Sequence, residues 1–264
     1  MTMRRLHALI LLTGLCLPTD PGAQARSDVP PDWAALASRF PGFAGAAVDV
    51  HAGRLRLTLL WAGPGQPPVR ALADALGGAL GGEAREAART GVTQVRPAAF
   101  TLERLLDAQR TLNGAGRLDP LLNRVVVSPG SAAVGPDGVT VTAGEVARES
   151  RLSVFVRPTS PARGALAADV RVVNTGRWPL RLDWDCFVVR LRVLDARGRD
   201  VTVLRDDEAC AGGPPVILWP GEVLLAAPFL PVLDGLPAGR YRLRAELDVA
   251  GLRAAREATL DWRP

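Results

Sequence analysis

The chain is 264 residues long, carries a formal net charge of +5, and takes all 32 of its basic residues as arginine. The absence of lysine excludes phosphate-loop lysines, Schiff-base lysines and Ser-Lys dyads, each of which needs an ammonium or a titratable amine. With two histidines, no Gly-x-Ser-x-Gly elbow and no His-x-x-x-His pair, the hydrolase and zinc-protease constellations also lack their parts, and the expectation is a protein that is not an enzyme and holds no cofactor.

The N-terminus opens with Arg4 and Arg5, runs through an apolar stretch from Leu6 to Leu17 and reaches Ala23-Gln24-Ala25, the small-x-small form of a signal-peptidase site. Residues 1–25 therefore read as a cleaved signal peptide, with a secreted, periplasmic or cell-envelope protein to follow. The stretch falls short of the roughly twenty residues a membrane span needs. Cys16 would mark a lipoprotein, but Leu15 stands where lipid attachment wants a small residue, so an apolar-region cysteine is the simpler reading. Cys186 and Cys210 remain, and an oxidising compartment predicts a bridge between them, stabilising by about 3 to 4 kcal/mol. A metal pair or reactive thiol is the alternative, but no further soft ligand lies nearby in sequence.

After a Pro-containing lead-in to residue 31, the stretch 33–128 reads as a mixed α+β domain, an antiparallel sheet with two helices. Ala46 to Val50 and Leu55 to Trp61 form a hairpin about His51-Ala52-Gly53, with Leu55, Leu57 and Leu59 on one face and Arg54, Arg56 and Thr58 on the other. The second set reads as a solvated face, and His51 as a solvated turn residue. Pro68 starts a helix through Leu80 that Gly77-Gly78 and Gly81-Gly82 weaken by about 1 kcal/mol per glycine. Val92 to Arg96 is a strand, Thr101 caps a helix carrying Leu102, Leu105, Leu106 and Leu112, and Asn123 to Ser128 is a last strand. Phe40-Pro41-Gly42-Phe43-Ala44-Gly45 with the hairpin, the helix from Leu102 and Asn123-Arg124-Val125-Val126-Val127 together resemble the pro-domain of secreted chymotrypsin-like bacterial proteases. That resemblance implies a module that chaperones and inhibits a protease, although no protease domain follows in this chain.

Residues 129–138, rich in Pro and Gly, read as a linker. From Val139 to Pro264 short strands recur at the spacing of an all-β, immunoglobulin-like Greek-key sandwich, the first at Val139 to Ala143 and another at Val201 to Leu204. The strand after Arg240 alternates, with Tyr241, Leu243, Ala245, Leu247 and Val249 inward, and Tyr241 falls where a corner tyrosine ties down the preceding turn. Asn174-Thr175-Gly176, the Asp195 to Val201 hairpin, Trp219-Pro220-Gly221-Glu222 and Leu236-Pro237-Ala238-Gly239-Arg240-Tyr241 resemble the intracellular proteinase inhibitor (BsuPI) domain. Trp219 and Tyr241 are its expected structural residues. The export signal and the cysteine pair depart from an intracellular relative.

Both resemblances imply a secreted peptidase inhibitor or peptidase-binding module, and the expected contact is the bridged loop from Arg205 to Pro215, with Arg205, Asp206, Asp207 and Glu208 at its head. The alternative function is a cell-envelope structural or adhesion module. Arginines alternating along strands (Arg190 and Arg192, Arg242 and Arg244) read as solvated sheet faces, so no nucleic-acid partner is expected, while peripheral contact with an anionic envelope is. Asp183, Asp185, Asp206, Asp207 and Glu208 also have the spacing to gather a Ca²⁺, against a plain solvated acidic loop.

Overall fold

The computed structural model describes residues 32–79, 82–89, 92–113, 115–128, 138–162, 165–182, 189–203, 216–226, 231–233, 235–249 and 251–263. Among them strand predominates over helix, and the strands form several small sheets. The N-terminal half runs α1 (Asp32–Arg39), β1 (Phe43–His51), β2 (Arg54–Trp61), α2 (Val69–Ala79), α3 (Gly82–Arg89), β3 (Thr93–Pro97), α4 (Leu102–Thr111), β4 (Gly116–Asp119), β5 (Arg124–Val127), β6 (Thr140–Thr142) and α5 (Ala143–Glu149).

The β1–β2 hairpin closes through Ala52 and Gly53, both at positive φ (50° and 74°), the backbone that a two-residue turn matched to the strand twist requires. β3 then lies parallel to β2, not antiparallel as the sequence suggested. A parallel neighbour needs a crossover, and α2 with α3 supply it. α1 and α3 add to the two helices expected: the run Glu-Ala-Arg-Glu-Ala-Ala-Arg is made of strong helix formers, which outweigh the glycines before it. Thr101 caps α4, its Oγ1 accepting from the Arg104 amide at 3.3 Å, and Leu102 and Leu105 are fully buried. Thr140–Thr142, expected to open the second module, pairs parallel with β5, and Val139 lies in the N-terminal core. Thr142 and Glu145 form a reciprocal capping box at the start of α5.

The C-terminal half contains β7 (Leu152–Ala162), β8 (Ala165–Asn174), β9 (Leu180–Leu182), β10 (Val189–Leu194), β11 (Val216–Leu218), β12 (Val223–Ala226), β13 (Gly239–Val249) and β14 (Leu252–Trp262). They pair antiparallel as β12-β8-β7, β10-β13-β14 and β9-β11. Inward side chains of all three sheets form one core: Val154 and Val172, Leu191 and Leu243, Leu182 and Leu218. Tyr241, Leu243, Ala245 and Leu247 are buried while Arg242 and Asp248 are exposed, the period of two of a half-buried strand. The stretch Val201 to Leu204 contributes only a bridge, Val203 to Val232, among its described residues.

Each half has its own core, and two smaller apolar clusters straddle the seam: Ala44 and Leu60 with Ile217 and Trp219, and Leu122 and Val141 with Trp178. The first explains why Arg56 through Leu60 are all buried, since β2 is covered by helices on one face and by β11 on the other.

Candidate functional site

That covered face overturns the sequence reading of Arg56. Its side chain is 6% exposed, not solvated, and is the hub of an ionic network joining the halves. Nε and Nη2 donate to Asp49 Oδ1 and Oδ2 at 2.9 and 2.7 Å, a bidentate fork that fits the planar guanidinium. Nη2 also donates to the Ile217 carbonyl at 2.8 Å, and Nη1 to the two Glu222 oxygens at 3.0 and 3.2 Å. Asp49 Oδ2 accepts in addition from the Ile217 amide at 3.0 Å. Arg96, from β3, pairs with Glu222 and lays its guanidinium over the Trp219 ring at 4.6 Å.

Two carboxylates thus meet two guanidiniums, and the quartet is neutral. Burial opposes the charge on Arg56, but the hydrogen bonds and charges of Asp49 and Glu222 more than offset it, so its pKa is raised. Trp219-Pro220-Gly221-Glu222 aims the acidic member: Glu222 N donates to the Trp219 carbonyl at 2.9 Å, and Gly221 takes φ 79°, which only glycine adopts freely at the third position of such a turn. Sequence reading had the turn but not its partners. Asp49 and Arg56 lie 7 residues apart across the hairpin, whereas Glu222 is 166 residues from Arg56, a separation that carries no local signal.

A groove of about 510 Å³ opens on the helix side of the same sheet, lined by Trp61, Gln66, Pro67, Val69, Val95 and Pro97. It borders β3, which pairs only with β2 among the described residues. The ladder bonds include Leu57 N to Val92 O and Ala98 N to Trp61 O, so the even-numbered residues face β2 and the amides and carbonyls of Thr93 and Val95 face outward. Pro97 has no amide and ends the open edge. Val95 is 41% exposed, and the indole N–H of Trp61 has no partner among the described residues.

Cys186, Cys210, Arg205, Asp206, Asp207 and Glu208 lie outside the described residues, as do Asp183 and Asp185 of the suggested Ca²⁺ cluster. Elsewhere, among the described residues, no group of His, Cys, Asp and Glu gathers as metal ligands, and no helix is long and apolar enough to cross a membrane. His51 is half-buried at the end of β1. Trp219 is buried at the seam, and the Tyr241 hydroxyl donates to the Pro237 carbonyl at 2.9 Å. No protein-family model matches this chain, and no curated protein matches it.

Proposed function

We propose that this is an exported, non-enzymatic binding protein whose partner is a peptidase, which it inhibits or holds. Its C-terminal half is read as an immunoglobulin-like Greek-key sandwich, supported by two three-stranded antiparallel sheets sharing one core and by the hydroxyl of Tyr241 on the preceding corner. The N-terminal half is read as a pro-domain-like module, on its resemblance in sequence.

The observation that carries the binding reading is the open edge of β3 beside the groove of Trp61, Pro67, Val69 and Val95. An extended segment of a partner would take main-chain bonds from Thr93 and Val95 and seat alternate side chains in the groove. The ionic seam supports this by fixing the sheet that carries the edge, since a rigid edge loses less entropy on docking. The loop from Arg205 to Pro215 is a second contact of the same reading.

The test is a pull-down with the refolded protein from the secreted fraction of its own organism, followed by titration of any recovered peptidase. Stoichiometric loss of peptidase activity, abolished by Val95→Asp and retained by Asp107→Asn on the exposed face of α4, is the expected result. Recovery of envelope components with peptidase activity untouched would overturn it in favour of the envelope-module reading.

A further inference from the structure

At the other end of the seam three guanidiniums alternate with two aromatic rings. Arg104 lies 5.0 Å and Arg124 4.7 Å from the centre of the Phe100 ring. Arg124 is also 5.7 Å and Arg177 5.0 Å from the centre of the Trp178 ring. The strip crosses from the N-terminal to the C-terminal half, with Arg104 and Arg177 exposed and Arg124 half-buried between them.

Each ring is held by a buried asparagine. Asn123, at φ 53°, accepts at Oδ1 from the amides of Ala99 and Phe100 at 2.9 and 2.8 Å and donates from Nδ2 to the Phe100 carbonyl at 2.7 Å. Asn174, with no exposure at all, donates to the carbonyls of Trp178 and Leu218 at 2.7 and 2.8 Å and accepts from the Gly176 amide at 2.9 Å. Gly176 is required there, because a Cβ would lie 2.5 Å from the Glu149 carbonyl oxygen. These bonds fix the rings, and the rings in turn hold the guanidinium planes, an arrangement prepared before any ligand arrives.

Charge on the strip is not balanced from within. Arg177 has a long contact to Glu149, 3.4 Å, at the exposed end. Arg104 and Arg124 have no carboxylate partner among the described residues. Burial and the charge of Arg177 both push the Arg124 pKa down, the mark of a cation held without a counter-charge.

We propose that the strip formed by Arg104, Phe100, Arg124, Trp178 and Arg177 is a binding site for a phosphate group. A phosphate carries up to two charges and three or more acceptor oxygens, so it accepts from the planar Arg124 fork and its second charge compensates a neighbouring guanidinium. A monocarboxylate would leave one cation uncompensated. The phosphate could be free, as in a polyphosphate, or carried on a sugar of the envelope, and the two sources share this chemistry.

The test is calorimetric titration of the intact protein at low ionic strength with sodium tripolyphosphate and, separately, with glucose 6-phosphate. Saturable one-to-one binding of tripolyphosphate alone assigns the site to free polyphosphate, and saturable binding of both assigns it to a terminal phosphate on a sugar. In either case Arg124→Gln weakens binding by at least about tenfold, and Arg124→Lys, which keeps the charge but loses the fork, weakens it by less. Phe100→Leu keeps all three guanidiniums and removes a ring; it also weakens binding, with circular dichroism verifying that the fold is retained. Arg253→Gln, on the exposed face of β14, leaves affinity unchanged. Unsaturable uptake, an equal loss in Arg253→Gln, or tighter binding of polyglutamate than of tripolyphosphate overturns the assignment.

Discussion

Asp49→Ala removes the acceptor that holds Arg56 and fastens β11 to the N-terminal sheet. The Asp49 side chain is 1% exposed and the Arg56 side chain 6%, so water cannot replace what is lost. Three contacts disappear: those from Arg56 Nε, from Arg56 Nη2 and from the Ile217 amide. Glu222 still faces Arg56 and remains shared with Arg96, so part of the positive charge stays compensated. Breaking a buried pair from one side costs about 3 to 5 kcal/mol, and the surviving Glu222 contact sets the expectation near the lower end, about 3 kcal/mol. Urea unfolding followed by tryptophan fluorescence and by far-ultraviolet circular dichroism would measure it. A lower midpoint at unchanged slope reports lost stability alone; a second transition reports that the halves now unfold separately. The double variant Asp49→Leu with Arg56→Met should cost less than Asp49→Ala, because it leaves no uncompensated buried cation. If Asp49→Ala costs under about 1 kcal/mol, the range of an exposed pair, the network does not fasten the two halves.

Asn174→Ala takes the buried side-chain donor away from the Trp178 and Leu218 carbonyls and leaves the Gly176 amide only its longer bond to the Arg151 carbonyl, 3.2 Å, and thermal unfolding should register a loss of about 3 kcal/mol. A shift no larger than that of an exposed alanine substitution would refute that role. Tyr241→Phe deletes one hydroxyl bond to the exposed Pro237 carbonyl, which water can then satisfy, so denaturant unfolding should show a smaller loss, about 1 kcal/mol. Asp195 and Asp200 titrate below the ordinary aspartate range: Asp195 chiefly through the Arg199 amide, Asp200 chiefly through the Thr202 hydroxyl. Folded pKa values that are depressed stabilise the fold above the unfolded value, and the contribution is lost as pH falls through the folded one. Melting temperature should therefore drop on acidification beyond the ordinary aspartate range, and the double variant Asp195→Asn with Asp200→Asn should flatten that dependence. An unchanged acid slope in the variant counts against it.

The elements were legible where one residue pattern has one structural solution. Alternation from Tyr241 to Leu247 can only be a half-buried strand, Thr101 before a leucine stripe can only cap α4, and Trp219-Pro220-Gly221-Glu222 reads as a turn from proline and glycine positions alone. Arg54, Arg56 and Thr58 were ambiguous by the same logic: polar residues at every second position mark a face that is not apolar, whether it meets water or a complementary ionic surface. Thr142 and Glu145 carried a readable capping signature, but the strand expected over Val139 to Ala143 ran across the start of α5, while the Ala-, Glu- and Arg-rich run of α3 was a readable helix obscured by the weight given to the glycines before it.

The seam itself had no such signature, because its parts come from opposite ends of the chain. Asp49, Arg56 and Arg96 are fixed by the N-terminal sheet, Ile217, Trp219 and Glu222 by β11 and the turn after it. Neither set is self-sufficient. Separating the halves would expose Ile217 and Trp219, now 4% and 5% accessible, and would leave Glu222 without a cation and Arg56 without its second carboxylate. A boundary drawn from turn composition between residues 129 and 138 falls before Val139 and β6, which still belong to the N-terminal core and sheet; the second core begins only with β7, and side chains more than a hundred positions apart couple the two. The same coupling gives the groove and the arginine strip their fixed settings, since Arg96 on β3 and Trp178 beside Arg124 each reach across that seam.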